Sequence, residues 1–583
     1  MALVLAVMGA LDARGQSVKE RELPAPLSSA VPGTGAATRP AAAPEPGTSG
    51  ARILPLARET ERGIPAPGER LHADAGLRGA IWRGTPFSLM AEALPRLPVR
   101  VTSRVTRALT LEILTAPVDP MGGPRIAARL AALRAERLYA MGQLVDAEAA
   151  FHAAELAKGD PARAPAEIET KLLLRGPRAA CAAVAEHLAA RSSPYLERAN
   201  IACQAIAGLH GKAALGLGLL RERGVAVGEM FGGLIMAQQP DLARPFGAFG
   251  SADAWAVGLL AETSLPWPDD AMQLGAPALL RAVATNGTGP VAVRIGAAER
   301  AFLLGAVDRA TLVALYGAAR FGDVAFGQAA RVPLAHYTPM NRALLFQAAM
   351  AARDRPARME ILANWWRLAR ADRGEVLAAL MTAPLIADVA PGAEWRENAV
   401  AVSRVLFHAG ELDRALIWYA WLRQATFKDM EGYMRLGAIA QLADMGGKGW
   451  TTADADAWAV YQRGQAAGER RIALLRALED GLGARRGRNL DAARNDETRT
   501  GDKFGAGGRS ADRRFADWRE IRAAAEAGRE GEAILLMLTA LGHDGVARAE
   551  PQALGAAVGV LAVLGRKAEA RRLAVEAALA NGF

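Results

Sequence analysis

The stretch that decides the fold runs from Ala399 to Gln424 and reads AVAVSRVLFHAGELDRALIWYAWLRQ. Apolar residues recur in it with the spacing of a helix that has one buried face. The Ala409-Gly410-Glu411 tract interrupts the pattern, and glycine is typical of turns between helices. The apolar positions are Val402, Val405 and Leu406 before the break and Leu412, Ala415, Leu416, Tyr419 and Leu422 after it. The stretch therefore predicts two helices joined by a tight turn, with their apolar faces together.

A hairpin of this size cannot bury both apolar faces by itself, so it needs similar hairpins stacked on either side. The composition of the 583-residue chain favours such stacking, since 51% of the residues are apolar and only 5% are aromatic. Alanine and leucine, which are strong helix formers, make up most of the apolar fraction. Alternating apolar residues, which are typical of β-strands, are rare. We therefore expect an all-α protein.

Four copies of one pattern resemble the second half of a tetratricopeptide unit. Each copy has a turn glycine and an alanine five residues after it. The residue four positions after the alanine is bulky in most copies, and the residue three positions further on is small in most copies. The copies are Gly142, Ala147, Phe151 and Ala154; Gly410, Ala415, Tyr419 and Leu422; Gly528, Ala533, Met537 and Ala540; and Gly565, Ala570, Ala574 and Ala577. The family's first-helix tryptophan and closing proline are missing around Gly410, and the spacing between copies is irregular. The resemblance therefore implies an irregular tetratricopeptide-like α-solenoid of stacked helical hairpins.

Changes in composition divide the chain into six segments. They are a signal peptide (1–15), a disordered Pro/Ala-rich linker (16–70), an N-terminal helical cap (71–125), the α-solenoid (126–481), a flexible insertion (482–515) and C-terminal helical hairpins (516–583). The linker has too few large apolar side chains to offset the entropy of ordering it. The insertion is mixed in charge and has no helical periodicity. The cap is expected to shield the apolar face of the first repeat.

The N-terminus indicates export. Residues 2–11, ALVLAVMGAL, form a short apolar core, and Ala13 and Gly15 are small residues at the two positions that a signal peptidase reads. The core is too short to span a bilayer as a helix. No Lys or Arg precedes it, so either the true start lies further upstream or the segment is only a hydrophobic N-terminal tail, in which case the protein is cytoplasmic. We expect a periplasmic protein with no transmembrane span after removal of the signal.

The two cysteines are predicted to lie on neighbouring helices. Cys181 precedes the expected turn at Ser193 by 12 residues, and Cys203 follows it by 10. In an antiparallel pair with a rise of about 1.5 Å per residue, the two side chains lie at similar heights. A disulfide between Cys181 and Cys203 would suit an oxidising compartment. The alternative is two buried free thiols.

Charge and motifs argue against several classes of function. The formal net charge is +9, but the 70 Lys and Arg residues are scattered among 61 acidic residues, so we do not expect a nucleic acid as partner. The chain contains no phosphate-loop, nucleophile-elbow or zinc-helix motif, so we predict no catalytic residue and no cofactor. His152 and Glu155 lie about one helical turn apart, but no second pair of ligands is visible, so we predict no metal site.

The loop 263–272, TSLPWPDDAM, contains the candidate partner-binding residues. It places Trp267 between two prolines and close to Asp269 and Asp270. A rigid aromatic side chain near acidic groups is typical of a binding hot spot. The alternative is structural, with Trp267 packed over a helix end and Asp270 capping that helix.

The whole chain is also similar to a group of uncharacterised bacterial tetratricopeptide-like proteins, some of which are labelled antifreeze glycopeptide polyprotein. The features they share are the tract 81–85 (IWRGT), the hairpin that contains Cys181, and the tract 203–205 (CQA). No function comes with this resemblance.

Two classes of function remain. The first is a non-enzymatic interaction scaffold of the bacterial cell envelope that binds a protein or peptide on a solenoid surface. The alternative is a cell-wall-associated enzyme or helper subunit with a site assembled from distant helices, or a cytoplasmic adaptor. Acidic residues with shifted pKa values in a deep pocket would favour the enzyme. The sequence makes no prediction of the oligomeric state.

Overall fold

The computed structural model describes residues 81–117, 123–154, 163–237, 249–263, 265–424, 430–444, 450–483, 517–543 and 545–583. The chain divides into Met1–Arg62, which lies outside these ranges, and Gly63–Phe583, which contains all of them. The predicted signal peptide and linker, and nearly all of the predicted insertion, lie outside the described residues. Within the described ranges the secondary structure consists of 27 α-helices and several short 3₁₀ helices, without a strand. The prediction of an all-α solenoid is confirmed.

The helices follow one another with short connections. Those of the first part are α1 (Phe87–Ala93), α2 (Arg104–Thr115), α3 (Pro124–Ala140), α4 (Leu144–Ala153), α5 (Ala164–Arg175), α6 (Pro177–Ala190), α7 (Pro194–Ile206), α8 (His210–Glu222), α9 (Glu229–Ala237), α10 (Ala254–Glu262), α11 (Pro277–Thr285), α12 (Val291–Leu303), α13 (Arg309–Ala318) and α14 (Asp323–Gly327). Those of the second part are α15 (Pro339–Ala351), α16 (Arg355–Ala371), α17 (Glu375–Thr382), α18 (Ala399–Ala409), α19 (Leu412–Leu422), α20 (Met430–Asp444), α21 (Thr452–Arg463), α22 (Gly468–Gly481), α23 (Trp518–Glu526), α24 (Glu530–Leu541), α25 (Gly545–Arg548), α26 (Pro551–Val563) and α27 (Lys567–Ala580). The 3₁₀ helices are Leu94–Arg96, Phe249–Ser251, Asp269–Gln273, Ala329–Arg331, Leu334–His336, Ala383–Ile386 and Ala393–Trp395.

Helices α18 and α19 form the hairpin that the stretch 399–424 predicts. Gly410 ends α18 in the left-handed region, with a φ of +78°. The Glu411 amide donates to the Leu406 carbonyl, and the Gly410 amide donates to the Phe407 carbonyl, both at 3.0 Å. This pair of bonds is the glycine cap that reverses a chain after a helix. The hairpin is therefore held by its turn as well as by its apolar faces.

The same turn recurs at the other three predicted positions. Gly142, Gly528 and Gly565 have φ values of +77°, +71° and +79°. The alanine five residues after each turn glycine is fully buried in all four copies. Small side chains at these points let the two helices of a hairpin approach closely, as the tetratricopeptide pattern implies.

Consecutive helices pack side by side as hairpins along the chain. The pairs include α3 with α4, α5 with α6, α7 with α8, α11 with α12, α18 with α19, α23 with α24 and α26 with α27. Neighbouring hairpins contact each other in turn, for example through α4 and α5 and through α6 and α7. Buried apolar side chains form one continuous cluster from Ile81 to Phe583. Stacking of this kind is what an α-solenoid requires.

The N-terminal helices contact the C-terminal hairpins, which the sequence did not predict. The guanidinium of Arg566, just before α27, donates to both carboxylate oxygens of Glu112 in α2, at 2.6 and 2.9 Å. The Gly531 amide in α24 donates to the Ile81 carbonyl at 2.7 Å. Helices α1 and α2, which lie in the predicted N-terminal cap, also contact α3. Together they join the two ends of the described array.

Arg104, the first residue of α2, links three parts of the chain. Its guanidinium donates to the carbonyls of His408 and Ala409 at 3.0 and 2.6 Å. These carbonyls lie at the C-terminal end of α18, where a cation is favourable. The Nε atom of Arg104 lies 3.3 Å from a carboxylate oxygen of Glu576 in α27. Helix α2 therefore lies where the beginning, middle and end of the described chain meet.

Candidate functional site

Trp267, the aromatic residue among the predicted binding residues, packs into the core. Trp267 is only 8% exposed, and its ring centroid lies 6.3 Å from that of Phe249. Asp270 accepts a hydrogen bond from the Phe249 amide at 2.6 Å. The 3₁₀ helix Asp269–Gln273 begins after Pro268 and has no side-chain cap. Asp270 therefore does not cap its own helix and instead binds the backbone at Phe249. Of the three candidates only Asp269 is exposed.

Cys181 and Cys203 form a disulfide between α6 and α7, with their Cα atoms 5.6 Å apart. Both cysteines are partly buried. Ser193 caps α7, since its hydroxyl accepts a hydrogen bond from the Leu196 amide at 3.3 Å. The turn between the two helices therefore lies where the sequence predicted it, which is why the two cysteines meet.

A surface groove with a volume of about 320 Å³ lies where the two ends of the described chain meet. Helix α1 forms one side, and the hairpin of α23 and α24 forms the other. The residues that line the groove are Leu89, Glu92, Glu520, Ala523, Arg529, Glu532 and Leu536. The groove exists only because the N-terminal helices pack on the C-terminal hairpins.

Glycine at position 531 allows this approach. A Cβ on Gly531 would lie 2.6 Å from the Ile81 carbonyl oxygen and 2.8 Å from the ring of Trp82. Only a residue without a side chain fits against backbone at that distance. Trp82 is itself buried, so it anchors the segment that leads into α1 against the start of α24.

The groove combines apolar and acidic surface. Leu536 is buried and Leu89 is half-buried, whereas Glu92 and Glu520 are exposed. A carboxylate oxygen of Glu92 lies 3.7 Å from a guanidinium nitrogen of Arg96, which is outside the groove. Glu520 has no charged partner among the residues that the structure describes. An apolar strip flanked by exposed carboxylates can receive an apolar side chain and a cation at the same time.

The single cation of the groove is already paired. Arg529 donates two hydrogen bonds to the carboxylate of Glu532, at 2.9 and 3.3 Å. The lining thus contains three carboxylates against one guanidinium. Its net charge is opposite in sign to that of the whole chain.

The sequence contains little that could have revealed this groove. Glutamates are present in the first turns of both α23 and α24. That enrichment is equally explained by the helix dipole, which favours acidic side chains near a helix N-terminus. The groove depends on contacts between segments at opposite ends of the sequence, which no local pattern encodes.

A second cluster of polar groups lies around Glu169 in α5, outside the groove. One carboxylate oxygen accepts a hydrogen bond from the hydroxyl of Tyr139 in α3. The other accepts one from the hydroxyl of Tyr195 in α7 at 3.3 Å. Trp255 in α10 donates its indole N–H to the Tyr195 hydroxyl at 3.3 Å. The cluster therefore joins α3, α5 and α7, one helix from each of three successive hairpins, to α10.

Burial raises the pKa of the Glu169 carboxyl to about 7, against the opposing effect of the hydrogen bond from Tyr139. Burial and the charge of Glu169 also raise the pKa of the Tyr139 hydroxyl well above its usual value. A shifted pKa is typical of catalytic carboxyls but also of structural networks. Because both oxygens of Glu169 already have donors, we interpret the cluster as a connection between helices.

Within the described ranges, no group of three or more His, Cys, Asp or Glu side chains is arranged to hold a metal ion. Glu155, which the sequence pairs with His152, lies outside those ranges. No helix in the same part of the chain combines the length and apolarity needed to cross a membrane. The chain matches no protein-family model, no curated protein and no solved structure.

Proposed function

We propose that the protein is a non-enzymatic interaction scaffold whose groove between α1 and the hairpin α23–α24 binds a basic segment of a partner protein or peptide. The observation that supports this proposal is the lining of the groove, in which leucine side chains lie beside three glutamates. Helical repeat arrays commonly bind peptides on such surfaces. A partner with an apolar side chain next to Lys or Arg matches this lining in shape and charge.

The ion pairs and the apolar contacts contribute differently to binding of the partner. Exposed ion pairs contribute little to affinity, so Glu92 and Glu520 select the sign of the partner's charge and speed the encounter. Burial of an apolar side chain against Leu89 and Leu536 supplies most of the favourable free energy. Binding should therefore weaken at high salt without being lost.

Fluorescence anisotropy with two labelled peptides tests the proposal. One peptide alternates leucine and arginine, and the other has glutamate at each arginine position. We expect the full chain to bind the arginine peptide at least about tenfold more tightly. The double variant Glu92→Lys/Glu520→Lys should reverse this preference, because both substitutions lie on the exposed edge of the groove and change its net charge.

Glu360→Lys is the matched control, since Glu360 is an exposed residue of α16 without a partner in the described structure. This variant should bind both peptides as the wild type does. Equal binding of the two peptides by the wild type, or an unchanged preference in the groove variant, would contradict the proposal.

We also propose that the scaffold belongs to the bacterial cell envelope. The disulfide between Cys181 and Cys203 supports this location, because such bonds persist in oxidising compartments. The intact mass of the protein from its native cells, alkylated without reduction, provides the test. We expect loss of residues 1–15 and no alkylated cysteine. A retained N-terminus with both cysteines alkylated would instead indicate a cytoplasmic adaptor.

A further inference from the structure

Helix α8 presents an apolar face that no described part of the chain covers. Leu215 is 66% exposed and Leu219 is 50% exposed, and the two lie one helical turn apart. Gly211 lies one turn before Leu215, and Gly218 lies between the two leucines in sequence; a Cβ on either glycine would have no atom within 4 Å. The opposite side of the helix is buried, with Leu217 only 1% exposed. Two exposed leucines with side-chain-free positions beside them favour contact with another helix.

The charges at the two ends of this face are placed against the helix dipole. Lys212 is the third residue of α8, and Glu222 is the last. A helix favours acidic groups at its N-terminus and basic groups at its C-terminus, so each charge is slightly unfavourable in the monomer. Both residues are exposed, and neither has a charged partner among the residues that the structure describes. Their arrangement is therefore not explained by contacts within the described chain.

The same arrangement is self-complementary under a two-fold axis. Leu215 and Leu219 lie two residues before and after Leu217, while Lys212 and Glu222 lie five residues before and after it. In an antiparallel pair of α8 helices centred at Leu217, Leu215 of each copy would meet Leu219 of the other. Lys212 of each copy would likewise meet Glu222 of the other. A two-fold contact repeats every pair twice, as isologous dimers do.

We propose that the protein forms a homodimer through antiparallel packing of α8 helices, with an apolar centre and two symmetry-related Lys212–Glu222 ion pairs. The partner is a second copy of this chain because the charge pattern complements itself only in that orientation. One helix from each copy buries less than the roughly 1,200 Å² that is typical of a stable complex. The dimer is therefore a weak one that forms as the protein concentration rises. This contact is separate from the peptide-binding groove and does not depend on it.

Charge exchange tests the proposal by sedimentation equilibrium of the full chain. Lys212→Glu and Glu222→Lys should each weaken self-association by about tenfold or more, because each places two like-charged pairs across the two-fold contact. The double variant Lys212→Glu/Glu222→Lys should dimerise as the wild type does. An equimolar mixture of the two single variants should form a heterodimer, since all four charges then face an opposite charge.

These substitutions suit the monomer, because each places a charge where the helix dipole favours it. A folding defect is therefore not expected, and circular dichroism of each variant provides the check. Arg191→Glu is the matched control, as Arg191 is exposed after α6 and has no charged partner in the described structure. It should leave self-association unchanged.

A second variant tests the apolar centre. Leu215→Ser/Leu219→Ser removes two side chains that are half or more exposed, so the monomer should keep its fold while self-association is lost. A wild type that stays monomeric at the highest attainable concentration would overturn the proposal. A dimer that none of these substitutions weakens would also overturn it, because its contact would then lie elsewhere.

Discussion

The four turn glycines share one backbone conformation but have different surroundings. A Cβ on Gly142 would lie 2.6 Å from the Cβ of Ala306 and 3.1 Å from the carbonyl carbon of Pro277. A Cβ on Gly528 would have no atom within 4 Å. Position 142 therefore requires glycine for both its φ and its packing against α11. Position 528 requires glycine for its φ alone.

Substitution of these two glycines separates the two requirements. Gly528→Ala should lower the free energy of unfolding by about 1 kcal/mol, the cost of a left-handed alanine. Gly142→Ala should lower it by about 2–4 kcal/mol, because overpacking against rigid backbone adds to that cost. Urea unfolding followed by circular dichroism measures both. Equal decreases in the free energy of unfolding would show that a Cβ at position 142 does not clash with its neighbours.

Glu169 makes stability depend on pH in an unusual direction for a carboxyl. Its pKa is raised to about 7 in the folded protein from an ordinary value near 4.5, so the folded state holds this proton more tightly than the unfolded state. Below about pH 4.5 the Glu169 carboxyl is protonated in both the folded and the unfolded state, so it causes no loss of stability there. As the pH rises from there to about 7, stability should fall, by about 1–3 kcal/mol from this group.

The Glu169→Gln variant isolates the effect, because a neutral amide cannot ionise. We expect the variant to match the wild type near pH 5 and to become progressively more stable than it towards pH 8. Thermal unfolding at a series of pH values measures the difference. A difference that stays constant across this range would contradict the raised pKa.

The sequence predicts some of these residue roles and misses others for a physical reason. The role of a turn glycine depends on its own backbone and on the helices beside it, so the repeat pattern reveals it. The burial of Trp267 depends on Phe249, which is distant in sequence and packs through tertiary contact. The pKa of Glu169 depends on its burial and on groups from α3, from α7 and from the start of α10. Contacts of that kind leave no local pattern.

At the scale of elements, the helical hairpin is the unit that the sequence predicts best. The contact between α6 and α7, the last helix of one hairpin and the first of the next, shows why, since Gly176 and the Ser193 cap mark where each helix begins. Once these limits are known, helix geometry brings Cys181 opposite Cys203. The prediction of their pairing needed nothing beyond the two helices and the turn that joins them.

Reduction of this disulfide should destabilise the protein. The bond closes a loop with a sequence separation of 22, and its loss should lower the free energy of unfolding by about 3 kcal/mol in the chain-entropy model. Urea unfolding with and without reductant provides the measurement. The double variant Cys181→Ala/Cys203→Ala is the control, since reductant should not affect it. If reductant left the wild type unchanged, the disulfide would contribute nothing to stability.

At the scale of the whole molecule, the sequence predicts an array of hairpins but not the contact between its ends. Periodicity reports which face of each helix is buried, and it does not report which distant helix covers that face. Glu112 and Arg566 are separated by 454 positions. Their contact and the groove beside α1 follow from the accumulated rotation from one hairpin to the next, which no single hairpin specifies.

The contact between the ends should make the described array unfold more cooperatively than an open solenoid, in which each repeat contacts only its neighbours. The ion pair of Arg566 with Glu112 is its clearest polar component, and Arg566 also donates to Glu530 at 2.6 Å. Loss of Arg566 would therefore remove partners from two carboxylates on different elements. The two residues should behave as a coupled pair despite their separation in sequence.

A double-mutant cycle on Glu112→Ala and Arg566→Ala tests the contact between the two ends most directly. Urea unfolding of the wild type, the two single variants and the double variant gives the coupling free energy between the residues. If the two ends are in contact, we expect a coupling free energy of about 1 kcal/mol or more between Glu112 and Arg566. The exposed pair of Arg522 and Glu526 within α23 should give no more than about 0.5 kcal/mol. Strictly additive effects of Glu112→Ala and Arg566→Ala would contradict the account, because the two ends would not then be in contact.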